Sequence, residues 1–213
     1  MNITALRPRF MRYIEPLAGL FIRAGLTPNQ ISLLSLIAGI ACAVLYAMNL
    51  FLAGSIMLIL SAILDLIDGS VARRIGTQSD FGAVIDWIVD KYVDSLVLLG
   101  IGFSSIAIVS HIYSSFHGWD WVVITLAIFG SMMNTFIKPV VYAEIGYSER
   151  VAGKIEDPLE GVGFFGRPET ILFLIAGGLS GYLWISVIVI ALCTNISALQ
   201  RIVYLYKRLK GPA

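Results

Sequence analysis

The chain has 213 residues, of which 58% are hydrophobic and only 14% are charged, and its formal net charge is +1. A soluble domain of this length needs a charged outer shell, and 15 basic and 14 acidic residues are too few to supply one. The near-neutral charge also excludes a nucleic-acid binder, which would carry a basic surplus. The two cysteines, Cys42 and Cys193, lie in apolar runs and show neither a disulfide framework nor a metal-ligand spacing. This composition indicates an integral membrane protein.

The first predicted element is an amphipathic helix over residues 8–25. Its apolar side chains recur at intervals of three and four residues: Phe10, Ile14, Leu17, Phe21 and Ala24. Arginines at other positions can reach lipid phosphates, so we expect this helix to lie on the membrane surface. Pro16 interrupts the segment, and a basic tail that only orients the chain is the alternative.

Apolar stretches of spanning length then follow one another along the chain. Thr27 and Gln30 form the pattern of a capping box, with Pro28 at the first helical position, where the first span begins. A helix needs about 20 apolar residues to cross a bilayer. Six stretches meet or approach this length, roughly 31–48, 51–74, 81–110, 121–143, 170–183 and 184–206. We therefore predict an all-α polytopic membrane protein, with a six-helix bundle over about 31–206 and a single membrane domain over 1–213.

Basic residues divide unequally between the two sides that six spans would create. The loops near 49–50, 111–120 and 180–184 contain no Lys or Arg. Every base except Lys91 falls on the other side, which the positive-inside rule makes cytoplasmic. We therefore expect a protein of the cell membrane with both termini in the cytoplasm. No segment has the form of a signal peptide, so we expect the N-terminus to be retained.

Carboxylates are concentrated where the second and third spans meet the cytoplasmic side. Asp65 and Asp68 are three residues apart, and Asp86 and Asp90 are four apart, so each pair shares one face of its helix. The two spans form a hairpin, which lets the pairs face each other. A carboxylate at the centre of a membrane helix costs about 2.5–3.5 kcal/mol, and four that converge repel unless a cation lies between them.

An all-oxygen ligand set without His or Cys favours a hard divalent cation such as Mg²⁺, Mn²⁺ or Ca²⁺. We therefore predict a cation site between the two spans. The alternative is that the aspartates only pair with Arg73, Arg74 and Lys91 at the helix ends. Asp94 continues the stripe, and we expect it to support the site or to pair with Lys91.

These residues form a spaced motif that resembles a known family. The motif reads Asp65-x-x-Asp68-Gly69-x-x-Ala72-Arg73, eight residues, then Gly82-x-x-x-Asp86-x-x-x-Asp90. It is similar, without a departure, to the signature of the CDP-alcohol phosphotransferases. Members of that family transfer a phosphatidyl-type group from a CDP-linked lipid to an alcohol, or a phospho-base from a CDP-alcohol to a lipid, and release CMP.

The resemblance implies a role for each residue of the motif. Asp65, Asp68 and Asp86 would hold two metal ions, Mg²⁺ or Mn²⁺, against the CDP pyrophosphate. Asp90 would touch the second metal and act as general base on the acceptor hydroxyl. The CDP-binding residues would be Asn29, Gly69, Ala72, Arg73 and Gly82. The resemblance also implies a homodimer.

The acceptor alcohol depends on the connection 138–168 and its bases. Family members that accept a phosphorylated polyol such as inositol phosphate place basic residues at the ends of spans four and five. Lys138, Arg150 and Arg167 are the candidates for acceptor binding. Those members usually have an Arg-rich stretch at the end of span four, whereas this chain continues from Lys138 with Pro139 and Val140. The departure leaves the acceptor open.

Two kinds of alternative follow. Within the family, the acceptor could be glycerol phosphate, serine or another small alcohol. In another class, the acidic hairpin could be the path of a divalent-cation transporter. The chain shows none of the internal duplication that transporters commonly have, and its carboxylates cluster at one membrane face, so we favour the transferase.

Overall fold

The computed structural model describes residues 7–77, 79–113, 115, 117–145, 150–151, 154–155, 159 and 161–210. Within these ranges the chain forms seven helices: α1 (Arg7–Arg23), α2 (Pro28–Ala47), α3 (Phe51–Ile75), α4 (Asp80–Phe103), α5 (His117–Ile145), α6 (Arg167–Ser180) and α7 (Leu183–Leu209). Two strands of two residues each, β1 (Arg150–Val151) and β2 (Lys154–Ile155), pair antiparallel between α5 and α6. The architecture is thus helical, as predicted, with one minimal hairpin added.

In the described part of the chain, four helices are long and apolar enough to cross a membrane by length and composition, namely α2, α3, α5 and α7. Helix α4 has 24 residues but carries four aspartates and Lys91. Helix α6 has 14 residues, about 21 Å, which is shorter than a hydrocarbon core of about 30 Å. The predicted count of six spans therefore stays a prediction for α4 and α6.

Helix α1 continues through Pro16 and docks on the start of α2 and the end of α3. Its buried residues Ile14 and Ala18 pack in one cluster with Ile31, while Leu20 on another face is exposed. The helix predicted over 8–25 thus forms over Arg7–Arg23. Its position on a membrane surface stays a prediction.

The capping box at the start of α2 is confirmed. Thr27 Oγ1 accepts a hydrogen bond from the Gln30 N–H at 3.4 Å, and the Thr27 N–H donates to Gln30 Oε1 at 2.9 Å. Pro28 occupies the first turn, where no intrahelical donor is needed. This cap fixes the end of α2 that faces the acidic residues of α3.

The third predicted span, 81–110, is wrong at its C-terminal end, because α4 stops at Phe103. Ser104 Oγ donates to the Ile101 carbonyl at 2.6 Å, and Asp120 Oδ1 accepts the N–H groups of Ile108 and Val109 at 3.2 and 2.6 Å. These contacts offer the backbone partners outside a helix. The apolar run that follows Ser105 is a loop held by Asp120.

Close helix crossings hold α4 and α6 against α2 and α3. Gly100 of α4 lies against the backbone of Ala43 in α2, where an added methyl group would collide with the Ala43 carbonyl. Gly178 of α6 lies against Ser55 and Tyr46 in the same way. Such small residues are typical of packed membrane helices. Outward faces carry exposed Leu33, as well as other large apolar side chains, as a lipid-facing surface requires.

Candidate active site

Three carboxylates from two helices converge at one end of the bundle. Asp65 and Asp68 lie on α3 and Asp86 lies on α4, and one carboxylate oxygen of each lies within 4.8 Å of those of the other two. Asp68 is 6% exposed, whereas Asp65 and Asp86 are at least partly accessible. Unscreened charges this close repel strongly. The donors are all carboxylate oxygens at separations that one ion can bridge with metal–oxygen distances of about 2.0–2.6 Å, so the triad fits a hard divalent cation.

Ser32 of α2 orients the most buried of these carboxylates. Its Oγ lies 2.6 Å from Asp68 Oδ2 and 3.1 Å from the Pro28 carbonyl oxygen. A hydroxyl has one proton to donate, and the shorter, charge-assisted bond to the carboxylate is the stronger of the two. Ser32 was not among the predicted site residues, although its position three residues after Asn29 puts both on the first turns of α2. Asn29 itself is exposed at that end of the helix.

Arg167, the first residue of α6, reaches into the acidic cluster. Its Nη1 donates to Asp65 Oδ2 at 3.0 Å. Its Nη2 lies 2.8 Å from Asp90 Oδ1, an ion pair whose atoms are not aligned as a hydrogen bond. Only 20% of the Arg167 side chain is exposed. The planar fork of a guanidinium suits this bridging of two carboxylates, which an ammonium could not reproduce.

Asp94 anchors the other edge of Arg167 inside the bundle. It is 3% exposed, and its Oδ1 accepts from Arg167 Nε at 3.4 Å. Its Oδ2 lies 2.8 Å from Lys91 Nζ and 3.2 Å from Ser131 Oγ of α5. The predicted pairing of Asp94 with Lys91 is confirmed. The contacts with Arg167 and Ser131 were not predicted, since they join residues far apart in sequence.

The residues predicted to bind CDP flank the carboxylate triad. Gly69, Ala72 and Arg73 lie on the last two turns of α3, and Gly82 lies on the first turn of α4. A methyl group added at Gly69 would lie 3.4 Å from Arg73 Nη1, so the guanidinium reaches back along the helix over Gly69. The Gly82 N–H donates to the capping Ser79 Oγ at 3.0 Å. The two helix ends thus place small residues and the Arg73 guanidinium beside the triad.

The three bases predicted to bind the acceptor have different outcomes. Arg167 joins the cluster as described above. Lys138 is partly exposed on α5, and it lies two turns after Ser131 on the same face of that helix. Because α4 and α5 run antiparallel, Lys138 lies towards the end of α4 that carries Asp86. The backbone of Arg150 lies in β1, and its side chain lies outside the described part of the chain.

The family model for CDP-alcohol phosphatidyltransferase matches residues 25–197. The chain belongs to this family. Archaetidylinositol phosphate synthase of Pyrococcus horikoshii is 28% identical over 209 residues, 98% of this chain and 98% of that protein. Archaetidylinositol phosphate synthase of Methanothermobacter thermautotrophicus is 28% identical over 96% of this chain and 94% of its own length.

Solved structures of phosphatidylinositol phosphate synthase from Mycobacterium tuberculosis share the fold. The structure with CDP-DAG bound is 24% identical and superposes with a TM-score of 0.70 over 92% of this chain and 94% of that one. The structure with manganese and citrate is 25% identical, with a TM-score of 0.70 over 91% and 89%.

These findings confirm the family predicted from the motif. The protein is a metal-dependent membrane transferase of phospholipid biosynthesis. It transfers the phosphatidyl-type group of a CDP-linked lipid to the hydroxyl of a small polar alcohol and releases CMP. This reaction replaces the alternative of a divalent-cation transporter.

Proposed function

We propose that the acceptor is a phosphorylated polyol, inositol phosphate, and that Arg167 binds its phosphate. The observation that carries this proposal is the position of the guanidinium, 2.8 Å from the carboxylate of Asp90. An acceptor that presents its hydroxyl to Asp90 brings a phosphate on the same small molecule within reach of Arg167. The names of relatives that match nearly the whole chain support the same acceptor.

In this proposal the metal site holds two Mg²⁺ or Mn²⁺ ions. Asp65, Asp68 and Asp86 would be ligands, and Asp90 would contact the second ion. Bound there, the ions would neutralise the pyrophosphate of the CDP-lipid and stabilise the leaving CMP. Ser32 supports this assignment, because its hydrogen bond fixes the orientation of Asp68, as residues behind metal ligands commonly do.

The side chains of the protein would then perform three tasks. Arg73 and Asn29 bind the phosphates of CDP, while Gly69, Ala72 and Gly82 leave room for its nucleoside. Asp90 removes the proton of the acceptor hydroxyl while the oxygen of that hydroxyl forms a bond to the lipid-linked phosphorus. The bond from that phosphorus to the CMP oxygen breaks, and CMP leaves. Proton removal by a positioned carboxylate contributes typically 10²–10⁴-fold to such reactions.

Lys138 and Arg150 complete the proposed acceptor site at the same end of the bundle. The partial exposure of Lys138 and its place on the Ser131 face of α5 support this role. Glycerol phosphate carries the same phosphate and would use the same base. Serine has no phosphate and gives no reason for Arg167 to lie beside Asp90.

We further propose six spans, with α4 and α6 completing the bundle, and α1 on the membrane surface. The site and both termini would face the cytoplasm, since the loops at the other end contain no Lys or Arg. The whole chain would be one membrane domain that forms a homodimer, as the family resemblance implies. Cysteine-accessibility labelling of single-cysteine variants in intact cells tests the topology, because each introduced cysteine reports its own side.

The test of the acceptor is CMP release by the purified protein with Mg²⁺ and either CDP-diacylglycerol or CDP-archaeol. The acceptor panel is inositol phosphate, glycerol phosphate, inositol, glycerol and serine. We expect release that depends on inositol phosphate, is absent with inositol, and is lost in Asp90→Asn. Asp80→Asn is the matched control, since it makes the same change on α4 outside the motif. Equal rates with inositol and inositol phosphate would contradict the proposed phosphate site.

A further inference from the structure

The loop that leads into α6 is tied to α5 and α7 by buried polar side chains. Asn134 of α5 is 4% exposed, and its Nδ2 donates to the Phe165 carbonyl at 2.6 Å. Arg201 of α7 is 7% exposed, and its Nε donates to the Val162 carbonyl at 2.9 Å. Ser197 Oγ lies 3.4 Å from Asn134 Oδ1. We name Asn134, Ser197 and Arg201 the loop clamp.

The loop clamp joins three segments, namely the loop, α5 and α7. Besides Val162, Arg201 also donates through Nη1 to the backbone carbonyl of Asn134, so one guanidinium joins the loop to α5. A buried guanidinium is costly unless carbonyls or carboxylates satisfy it, and here loop and helix carbonyls accept from it. Its position near the end of α7 predicts an ordinary basic residue of a cytoplasmic terminus, whereas the structure buries it against the loop.

Gly163 shows how closely the loop approaches the clamp. Its φ of 96° lies in the left-handed region, and a methyl group there would lie 2.6 Å from Ser197 Oγ and 2.9 Å from Arg201 Nε. Gly161 in the same loop has a φ of 77°, but nothing lies within 4 Å of a methyl group built there. Substitution of either glycine by a residue with a side chain would strain the backbone, whereas only substitution of Gly163 would also cause a collision with the loop clamp.

The anchored carbonyl of Phe165 lies two residues before Arg167. Between them, the Gly166 N–H donates to Glu169 Oε2 at 2.8 Å, which caps the first turn of α6. The path from clamp to Arg167 is therefore short and hydrogen-bonded at each end. Arg167 in turn spans Asp65, Asp90 and Asp94 from that first turn.

We propose that the loop clamp is a positioning device that sets the place of Arg167, and with it the affinity for the phosphorylated acceptor. None of its three residues contacts the carboxylate triad or the CDP-binding residues in the described contacts. Asn134, Ser197 and Arg201 are positioning residues, since they act through the first turn of α6. This inference rests on the proposed function, in which Arg167 binds the acceptor phosphate.

The first test uses Asn134→Leu, with Asn195→Leu as matched control. Asn195 of α7 also donates to a carbonyl of α5, that of Leu126 at 2.9 Å, but does not reach the loop. We expect Asn134→Leu to raise the KM for inositol phosphate between about 10- and 100-fold, because small displacements of a binding group have effects of this size. The KM for the CDP-lipid should change less than about twofold, as expected for sites that do not share partners. The same rise for both substrates, or the same rise in Asn195→Leu, would overturn the proposal.

A double-mutant cycle separates positioning from general damage. If Asn134 acts through Arg167, Asn134→Leu should add little to the acceptor KM in an Arg167→Ala background. Independent, multiplicative effects would overturn the proposal. Amide hydrogen exchange over 161–170 should accelerate in Asn134→Leu and not in Asn195→Leu. Faster exchange without a change in the acceptor KM would show that the clamp does not serve the acceptor, which also overturns it.

A second pair of variants covers the case in which Asn134→Leu does not fold. Gly163→Ala should raise the acceptor KM well above that of Gly161→Ala, because only the former displaces Ser197 and Arg201. Equal KM values in the pair would overturn the clamp. If the wild-type protein does not release CMP with inositol phosphate, the proposed function is refuted, and so is the inference that rests on it. Wild-type protein that uses inositol phosphate while every clamp variant keeps its KM would refute the clamp alone.

Discussion

The two ends of the bundle both depend on aspartates, but they use them differently. At one end, Asp120 accepts hydrogen bonds from the N–H groups of Ile108, Val109 and Ser110 at 2.6–3.2 Å and from the Ser110 hydroxyl. At the other end, carboxylate oxygens of Asp65, Asp68 and Asp86 converge on one another within 4.8 Å. A carboxylate wrapped by backbone donors holds a loop in place. Carboxylates that converge are arranged for a cation.

Removal of divalent metal should show the largest difference between the two ends of the bundle. We expect a chelator to abolish CMP release, because the triad then has no ion to place against the pyrophosphate, and excess Mg²⁺ or Mn²⁺ to restore it. The Asp120 end needs no ion, so Asp120→Asn should leave both the loss and the recovery unchanged. Turnover that persists in chelator would contradict the metal assignment.

Asp90→Asn should lower kcat by about 10²–10⁴-fold, since the amide cannot accept the proton of the acceptor hydroxyl. Binding of the CDP-lipid should stay close to that of wild type. The measurement is steady-state CMP release together with equilibrium binding of a CDP-lipid. Asp120→Asn is the control variant. An equally large loss of kcat in that variant would show that the effect is not specific to the end that carries the converging carboxylates.

Arg167→Ala should raise the KM for inositol phosphate by about 10–100-fold, the size expected for one or two charge-assisted hydrogen bonds. The KM for the CDP-lipid should change much less. Arg208→Ala, at the exposed end of α7, is the matched loss of one charge. Equal changes in both KM values would show that Arg167 does not bind the acceptor.

Ser32→Ala should weaken Mn²⁺ binding about tenfold, because Asp68 loses the hydrogen bond that orients it. Ser35→Ala is the control from the next turn of α2. Ser35 is buried and donates to the Ser61 carbonyl at 2.9 Å, away from any carboxylate. Equal Mn²⁺ affinities in the two variants would mean that Ser32 does not tune the site.

Asp120→Asn itself should have the smallest effect, a loss of about 1 kcal/mol in stability with kcat and both KM values unchanged. The amide oxygen still accepts from the three backbone N–H groups, but the NH₂ group cannot accept from the Ser110 hydroxyl as Oδ2 does, and the partial exposure of Asp120 moderates the cost. Thermal denaturation in detergent measures the change. Lower activity at temperatures where the variant is fully folded would show that Asp120 takes part in catalysis or substrate binding.

The four carboxylates and the hairpin could be predicted from spacing, because each carboxylate pair repeats at helical intervals within one element. The other motif residues were predicted from the family resemblance. The position of Arg167 could not, since 102 residues separate it from Asp65 and the contact depends on how α6 packs on α3. Arg201 was missed for a related reason. The sequence around Arg201 is typical of a base that marks the cytoplasmic end of a span. Its buried partners come from the loop that folds against α7 and from α5.

The end of the third predicted span shows the limit of hydropathy. Residues 106–109 are apolar and continue the pattern of α4, yet they form a loop. The decisive partner, Asp120, belongs to the following helix, and its affinity for three backbone N–H groups outweighs helical continuation. Apolar composition places a segment near the membrane, while the hydrogen-bond partners of its backbone decide its conformation.

Mn²⁺ binding to the purified protein, followed by electron paramagnetic resonance, tests most directly whether the converging carboxylates hold a metal ion. Wild type, Asp68→Asn and Asp120→Asn would be titrated under the same conditions. We predict saturable Mn²⁺ binding in wild type, retained in Asp120→Asn and lost or strongly weakened in Asp68→Asn. Equal binding by Asp68→Asn and wild type would contradict the assignment of the converging carboxylates as the metal site.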